Sequence, residues 1–205
     1  MNCRLLVFCG ILPALALPLQ AQLATAPRHE VGLTLGRLLS ANRRAMQSIF
    51  ELSSGTAFQA NYGYKLVEAS AALYGEVHFL ANPQRLVYSS DTTLTRDVAT
   101  LFVTPGIRVK FRPRAAVSPF VVGGTGYALY EQSRNRLDGQ PNSAPRTIHR
   151  GTIQFGGGVD FKFWRFVGLR AEIRDFYSGN PAYNAPASGG QHNVVVGGGF
   201  VLRFQ

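Results

Sequence analysis

Residues 150–177 read RGTIQFGGGVDFKFWRFVGLRAEIRDFY, two alternating apolar and polar segments joined by a short turn. In the first segment, Ile153 and Phe155 alternate with Gln154 and Gly156. A repeat of two residues is the period of a β-strand whose two faces meet different surroundings. The stretch therefore predicts two antiparallel strands, and the same alternation recurs along most of the chain.

Eight alternating segments can be drawn, each long enough for the roughly 9–11 tilted residues of a membrane-crossing strand. They cover residues 29–38, 55–67, 70–81, 98–112, 117–131, 150–163, 166–177 and 191–205. Short connections lie near 67–70, 112–117 and 163–166, and long polar ones at 39–54, 82–97, 131–149 and 178–190. Short turns at one end and long loops at the other are typical of outer-membrane barrels. We therefore predict an all-β fold, an eight-stranded antiparallel up-and-down transmembrane β-barrel.

The polar faces of the segments combine glycines with long charged side chains, which suits the narrow, filled interior of an eight-stranded barrel. The charged residues predicted to face the lumen are Glu30, Lys65, Glu76, Arg108, Lys110, Asp160, Lys162, Arg170, Glu172, Arg174 and Arg203. Because buried charges need partners, we expect a salt-bridged plug in which Glu76 and Glu172 each hold several arginines. Because these residues include seven bases and four acids, the alternative is a narrow, weakly anion-preferring pore.

Aromatic residues are predicted near both ends of the barrel, where amphipathic rings favour the membrane interface. The set at the short-turn end is Tyr64, Phe111, Phe161, Phe163, Trp164, Phe166 and Phe204. The set toward the long loops is Phe58, Phe79, Tyr127, Phe176 and Tyr177. Two such girdles favour a membrane barrel over a soluble lipocalin-like barrel or a sandwich, whose strands would alternate as well.

The chain ends in an alternating strand, FVLRFQ at residues 200–205. With the aromatic Phe204, this ending resembles that of the outer-membrane β-barrel family, specifically the small OmpA/OmpX-like eight-stranded barrels. It differs in that Gln205 follows the aromatic residue. The resemblance covers residues 30–205 and implies recognition of the last strand by the barrel-assembly machinery. It implies no particular activity.

Residues 1–21 have the features of a secretory signal peptide. Arg4 supplies a positive charge, residues 5–19 are almost wholly apolar, and LQA at residues 19–21 is a cleavage site before Gln22. We therefore expect export and insertion into the bacterial outer membrane.

Two other interpretations of the leader are less favoured. Pro13 and Pro18 interrupt the apolar run, which is also short for a membrane-spanning helix. Cys9 lacks the small residues expected before a lipidated cysteine. Because Cys3 and Cys9 both lie in the leader, the mature barrel domain, residues 22–205, would contain no disulfide.

The chain is basic, and removal of Arg4 with the leader lowers its formal charge from +10 to +9. The charges are dispersed, so we expect outer-membrane lipid and lipopolysaccharide as partners rather than nucleic acid, and a monomer. The long loops carry Arg43, Arg44, Arg85, Arg96, Arg134, Arg136, Arg146 and Arg150. Their guanidinium groups are suited to lipopolysaccharide phosphates, although solubilising charge is the simpler interpretation.

The sequence contains no motif that indicates catalysis, and we expect neither an enzyme nor a cofactor nor a metal site. The four histidines are His29, His78, His149 and His192, of which the last lies near Ser188. The glycine strings at 123–126 and 156–158 are not followed by a helix or by a Lys-Ser/Thr pair, which excludes a nucleotide loop. A lipid-modifying outer-membrane enzyme remains the catalytic alternative.

Overall fold

The computed structural model describes residues 26–40, 43–45, 48–184 and 189–205. The predicted signal peptide and Ser188 lie outside these residues. The strands are β1 (His29–Ser40), β2 (Arg43–Ala45), β3 (Ser48–Leu52), β4 (Gly55–Glu68), β5 (Ala71–Ser89), β6 (Asp97–Phe111), β7 (Val117–Gln132), β8 (Thr147–Lys162), β9 (Val167–Ser178) and β10 (Gln191–Phe204). No helix in the described part of the chain could span a membrane.

Eight of these strands close into a barrel. From β4 to β10 each strand pairs antiparallel with the next, and β1 joins β4 to β10. The closing β1–β10 pair runs from His29 opposite Phe204 to Ser40 opposite Asn193. A closed barrel has no free edge, so its backbone groups can all be paired inside lipid. The predicted eight-stranded up-and-down barrel is confirmed.

The strands β2 and β3 form a hairpin outside the barrel wall. Residues Phe50–Leu52 of β3 pair with Val87–Ser89 at the end of β5. The prediction that residues 39–54 and 82–97 are solvated loops is therefore wrong over the hairpin and the end of β5. The physical reason is apolar packing, because Phe50, Leu52 and Val87 are buried in a single cluster at the long-loop end of the lumen.

A bulge in β5 changes which residues face the lumen. The register with β6 shifts between Asn82 and Arg85, a typical position for an irregularity that redirects side chains. Before the shift Leu80 and Asn82 are buried, and after it Arg85 and Val87 are buried. The prediction of Arg85 as a loop arginine is therefore wrong, since its side chain lies inside the barrel with 1% of its surface exposed.

The two faces of the wall differ as a membrane barrel requires. Large apolar side chains such as Leu33, Phe58 and Phe200 are exposed on the outer face, whereas the inner face carries the buried polar residues. The prediction that Phe176 belongs to the aromatic set toward the long loops is wrong. Phe176 is fully buried in the lumen beside Phe102, with ring centroids 5.0 Å apart.

Glycine leaves space in the lumen for larger neighbours. A Cβ atom on Gly63 would lie 2.5 Å from the Arg108 guanidinium. One on Gly158 would lie 2.7 Å from the Phe120 ring. Both distances are far below van der Waals contact, so these positions admit no side chain while Arg108 and Phe120 keep their places.

Candidate functional site: the charged lumen

Glu30 and Asp160 lie at the centre of a buried ion-pair network in the short-turn half of the lumen. The Glu30 carboxylate is 2.8 Å from Arg108 Nη2 and 2.5 Å from Lys110 Nζ. Asp160 is 2.6 Å from the same Lys110 Nζ and accepts two hydrogen bonds from Arg170, at 2.7 and 2.9 Å. Such bidentate, charge-assisted pairs are the strongest hydrogen bonds of protein interiors.

A second part of the network lies nearer the middle of the barrel. Glu76 is 2.9 Å from Arg108 Nε and 2.7 Å from Arg174 Nη1. Arg174 also reaches Glu172, at 2.9 Å, and Glu172 accepts a 3.0 Å hydrogen bond from the Thr34 hydroxyl. Arg108 therefore links the two parts, since its guanidinium bridges Glu30 and Glu76.

The acids with most partners differ from the expected ones. Glu30 lies within 4 Å of four cations, and Asp160 of three. Glu76 pairs with two arginines, but the one cation paired with Glu172 among the described residues is Arg174. Glu172 is therefore not a centre of the network, because its level in the barrel brings it beside Thr34 rather than a second cation.

Two of the predicted lumen bases lie at the short-turn mouth. Lys65 donates to the Ala26 carbonyl at 2.5 Å and pairs with Glu68 at 2.7 Å. Lys162 lines a shallow cleft at the same mouth together with Arg203. Arg203 also reaches the network, 3.6 Å from both Glu30 and Asp160. We define the lumen network as Glu30, Glu76, Arg108, Lys110, Asp160, Arg170, Glu172, Arg174 and Arg203.

Two aromatic rings fill the space beside these charges. The Arg108 guanidinium lies 4.9 Å from the Tyr74 ring centroid and 5.5 Å from that of Phe120. Arg170 lies 4.8 Å from the Phe120 centroid. These are cation–π distances. Phe120 is an apolar residue on the inner face of β7, and its contacts with the two guanidinium groups explain this inward position.

The lumen network and its flanking residues involve every strand of the barrel wall. Its ionic members come from β1, β5, β6, β8, β9 and β10. Asn61 on β4 donates a 3.5 Å hydrogen bond to Glu76, and Phe120 on β7 packs against the arginines. Chemically the arrangement can cross-link the wall and fill the lumen.

Comparison with known proteins identifies the family. The family model described as "Outer membrane protein beta-barrel domain" matches residues 9–204. The chain belongs to the outer membrane protein β-barrel family. It is therefore located in the bacterial outer membrane, with the short turns toward the periplasm and the long loops outside the cell. No curated protein sequence matches the chain.

Solved outer membrane barrels share the fold at low sequence identity. Neisserial surface protein A is 13% identical, with a TM-score of 0.54, covering 88% of this chain and 99% of its own. The outer membrane protein OprG from Pseudomonas aeruginosa is 12% identical, with a TM-score of 0.56, covering 88% of this chain and 97% of its own. AlkL is 10% identical, with a TM-score of 0.51, covering 88% of this chain and 92% of its own.

The periplasmic end of this outer membrane barrel carries exposed aromatic residues. Among the predicted girdle, Tyr64 is half-buried and stacks edge-on with His29, 5.2 Å between centroids. The others are exposed on the outer face or in the turns: Phe111, Phe161, Phe163, Trp164, Phe166 and Phe204.

The extracellular half of the lumen contains a buried apolar cluster beside buried polar residues such as Asn82, Arg85 and Asn193. We call its buried cluster the apolar cap: Leu38, Phe50, Leu52, Ala57, Leu80, Val87, Leu94, Val98, Phe102, Ala128, Tyr130, Phe176, Tyr183 and Val195. No single segment of the sequence indicates the apolar cap, because its members come from both the barrel wall and the loops. The inward position of Val195 and the apolar residues of 49–52 were the available signals.

The four histidines are dispersed over the barrel. His78 is buried in the lumen, while His29 hydrogen-bonds Tyr62 at 2.8 Å and His149 contacts the Tyr127 hydroxyl. His192 Nδ1 is 2.5 Å from Asp175 on the outer face. Among the side chains that the structure describes, no hydrogen bond joins a histidine to a serine or threonine hydroxyl.

Most loop arginines already have protein partners. Arg136 pairs with Asp138 at 2.6 Å, Arg146 with Glu131 at 2.8 Å, and Arg150 donates to the Asn180 carbonyl at 2.5 Å. Arg96 is 3.7 Å from Asp97, and Arg134 is exposed. The side chains of Arg43 and Arg44 lie outside the described part of the chain.

Proposed function

We propose that this outer membrane barrel is a non-catalytic protein with a structural or surface-interaction role, and that its lumen is plugged by the lumen network. The observation that carries the proposal is the continuous set of buried ion pairs across the barrel. Five cations and four carboxylates, drawn from six strands, occupy the periplasmic half. A solute could pass only if such pairs separated.

Separation of these pairs is costly in free energy. Breaking one buried pair by removal of a partner typically costs about 3–5 kcal/mol, because an uncompensated charge remains. Glu30 by itself takes part in two such pairs, with Arg108 at 2.8 Å and with Lys110 at 2.5 Å. Thermal opening of the network is therefore rare.

Planar-bilayer conductance tests the plug. The wild-type barrel should give no conductance steps above background. The double variant Glu30→Ser, Arg108→Ser removes both partners of a buried pair and leaves a void, so it should conduct. The matched control is Glu131→Ser, Arg146→Ser, which removes an exposed loop pair and should stay closed. Steady anion-selective conductance by the wild type would instead support the narrow pore.

We further propose that lipopolysaccharide phosphates contact the extracellular loop arginines. Arg134 is exposed in the third long loop, and the exposed Arg146 lies in the same loop. Guanidinium groups bind phosphate oxygens with two parallel hydrogen bonds. The triple variant Arg134→Gln, Arg136→Gln, Arg146→Gln should bind lipopolysaccharide-containing vesicles more weakly than wild type. Unchanged binding would refute this contact.

One observation favours a catalytic alternative. The imidazole of His192 is held by Asp175 on the outer face, at the extracellular end of β9 and β10. A carboxylate-oriented imidazole is one part of a hydrolytic site, which also needs a nucleophile. Mass spectrometry of lipid A and phospholipids after overexpression tests it. Unaltered lipids, identical to those with His192→Ala, would exclude the enzyme.

A further inference from the structure

Arg85 is a buried cation in the extracellular half of the lumen. The bulge in β5 turns it inward, and 1% of its surface is exposed. Its guanidinium donates to the Ser40 hydroxyl at 2.5 Å and to Asn193 Oδ1 at 3.3 Å. Its Nε has no acceptor among the described residues. A guanidinium has five N–H donors, so most of its capacity is unused.

Within residues 26–40, 43–45, 48–184 and 189–205, no side-chain carboxylate is paired with Arg85. The sequence has eleven acids: Glu30, Glu51, Glu68, Glu76, Asp91, Asp97, Glu131, Asp138, Asp160, Glu172 and Asp175. All eleven lie in the described part of the chain, and none is paired with Arg85 there. The residues outside it, 1–25, 41–42, 46–47 and 185–188, contain no acid at all. None of the eleven acids of this sequence therefore supplies the missing counter-charge.

The arginines of the lumen network show how unusual this is. Arg170 lies 2.7 Å from Asp160, and Arg174 lies 2.7 Å from Glu76 and 2.9 Å from Glu172. The same barrel thus pairs its buried periplasmic arginines with carboxylates, whereas the partners of Arg85 in the described part of the chain are the neutral oxygens of Ser40 and Asn193. Burial of an unpaired charge is strongly unfavourable, so the site favours a bound anion.

The neighbours of Arg85 suit a small anion with oxygen acceptors. Asn193 Oδ1 is already saturated, since it also accepts from Gln191 Nε2 at 2.8 Å and from Ser40 at 3.0 Å. Asn193 Oδ1 therefore has little remaining capacity to accept hydrogen bonds from Arg85. Tyr130 accepts a 3.2 Å hydrogen bond from Asn193. The apolar cap adjoins this polar group, so water competes poorly with a ligand for the guanidinium.

We propose that Arg85 is the centre of an anion-binding site in the extracellular half of the lumen, for a small carboxylate or phosphate. Both are oxyanions whose geometry matches the planar guanidinium fork. The ligand arrives from the extracellular side, because the lumen network fills the periplasmic half. The bound oxyanion supplies the counter-charge that the chain lacks. The direction of entry rests on the proposed plug of the lumen, whereas the anion site itself does not.

Arginine side-chain NMR tests the site directly. The ¹⁵N-labelled barrel in lipid nanodiscs is titrated with sodium acetate or sodium phosphate, with sodium chloride as the ionic-strength reference. The Arg85 Nε–Hε resonance, assigned by its loss in Arg85→Gln, should shift saturably with acetate, phosphate or both. The two salts distinguish a carboxylate from a phosphate ligand. The control Arg136→Gln removes a partly exposed loop arginine that is paired with Asp138 and should leave the titration unchanged.

A stability measurement covers the case in which Arg85→Gln folds poorly. Arg85→Lys keeps the charge but loses the fork, so it should bind at least about tenfold more weakly, a difference of about 1.4 kcal/mol. Whichever oxyanion binds, acetate or phosphate, should raise the midpoint of urea unfolding more for the wild type than for Arg85→Lys. The proposal is overturned if the Arg85 resonance shows no saturable shift below ~100 mM of either oxyanion, or responds to chloride alone.

Discussion

Replacement of Glu30 by glutamine should destabilise the barrel markedly. The change keeps the size of the side chain but removes the charge that holds Lys110 at 2.5 Å and Arg108 at 2.8 Å. Each cation retains one other carboxylate, Asp160 at 2.6 Å and Glu76 at 2.9 Å. Because the cations are not left wholly unpaired, we expect the lower end of the range for a broken buried pair, about 3 kcal/mol.

The matched control is Glu131→Gln. Glu131 also pairs with an arginine, but the side chains of Glu131 and Arg146 are 43% and 51% exposed. An exposed pair contributes at most about 1 kcal/mol. Urea unfolding in lipid vesicles, followed by heat-modifiable gel migration and linear extrapolation, gives both free energies of unfolding. If Glu30→Gln costs no more than Glu131→Gln, the lumen network does not stabilise the barrel.

Two further substitutions test the packing of the lumen. Gly63→Ala should destabilise the barrel by about 1–3 kcal/mol, since its Cβ would lie 2.5 Å from the Arg108 guanidinium. Gly151→Ala, whose Cβ meets nothing within 4 Å, should be nearly neutral in the same urea titration. Phe176→Ala removes a buried lumen ring and should cost about 3–5 kcal/mol. Phe155→Ala, on the outer face, should cost clearly less, and equal losses would contradict the assigned faces.

Which side chains face the lumen could largely be predicted from period-two alternation. Glu76, Arg108 and Arg174 lie on polar faces of regular segments, and the structure buries all three. The partners could not be predicted in the same way. Asp160 meets Arg170 because the β8–β9 register sets them opposite each other. Lys110 reaches Glu30 across the lumen. The alternation within one segment does not indicate which residues of other strands lie within reach.

The errors have a common physical cause. The bulge at Asn82–Arg85 reverses the parity of β5, so Arg85 and Val87 turn inward in a stretch that looked like a polar loop. Phe176 was assigned to the interface because it is aromatic and near a strand end. Its neighbours Asp175 and Tyr177 point outward, which requires Phe176 to point inward. In both cases the type of residue suggested the wrong surroundings, because the alternation along the strand sets the direction of the side chain.

The seam between β1 and β10 has a consequence for biogenesis. The two strands that close the barrel are the first and last of the wall, so closure brings together residues far apart in the chain, and such distant contacts form slowly. Glu30 lies on one side of this seam and Arg203 on the other, 3.6 Å apart. Until β10 joins the barrel, Glu30 lacks Arg203, one of the cations that neutralise it. A chain truncated before β10 would thus carry exposed lumen charges and two open edges, which an apolar bilayer does not accept.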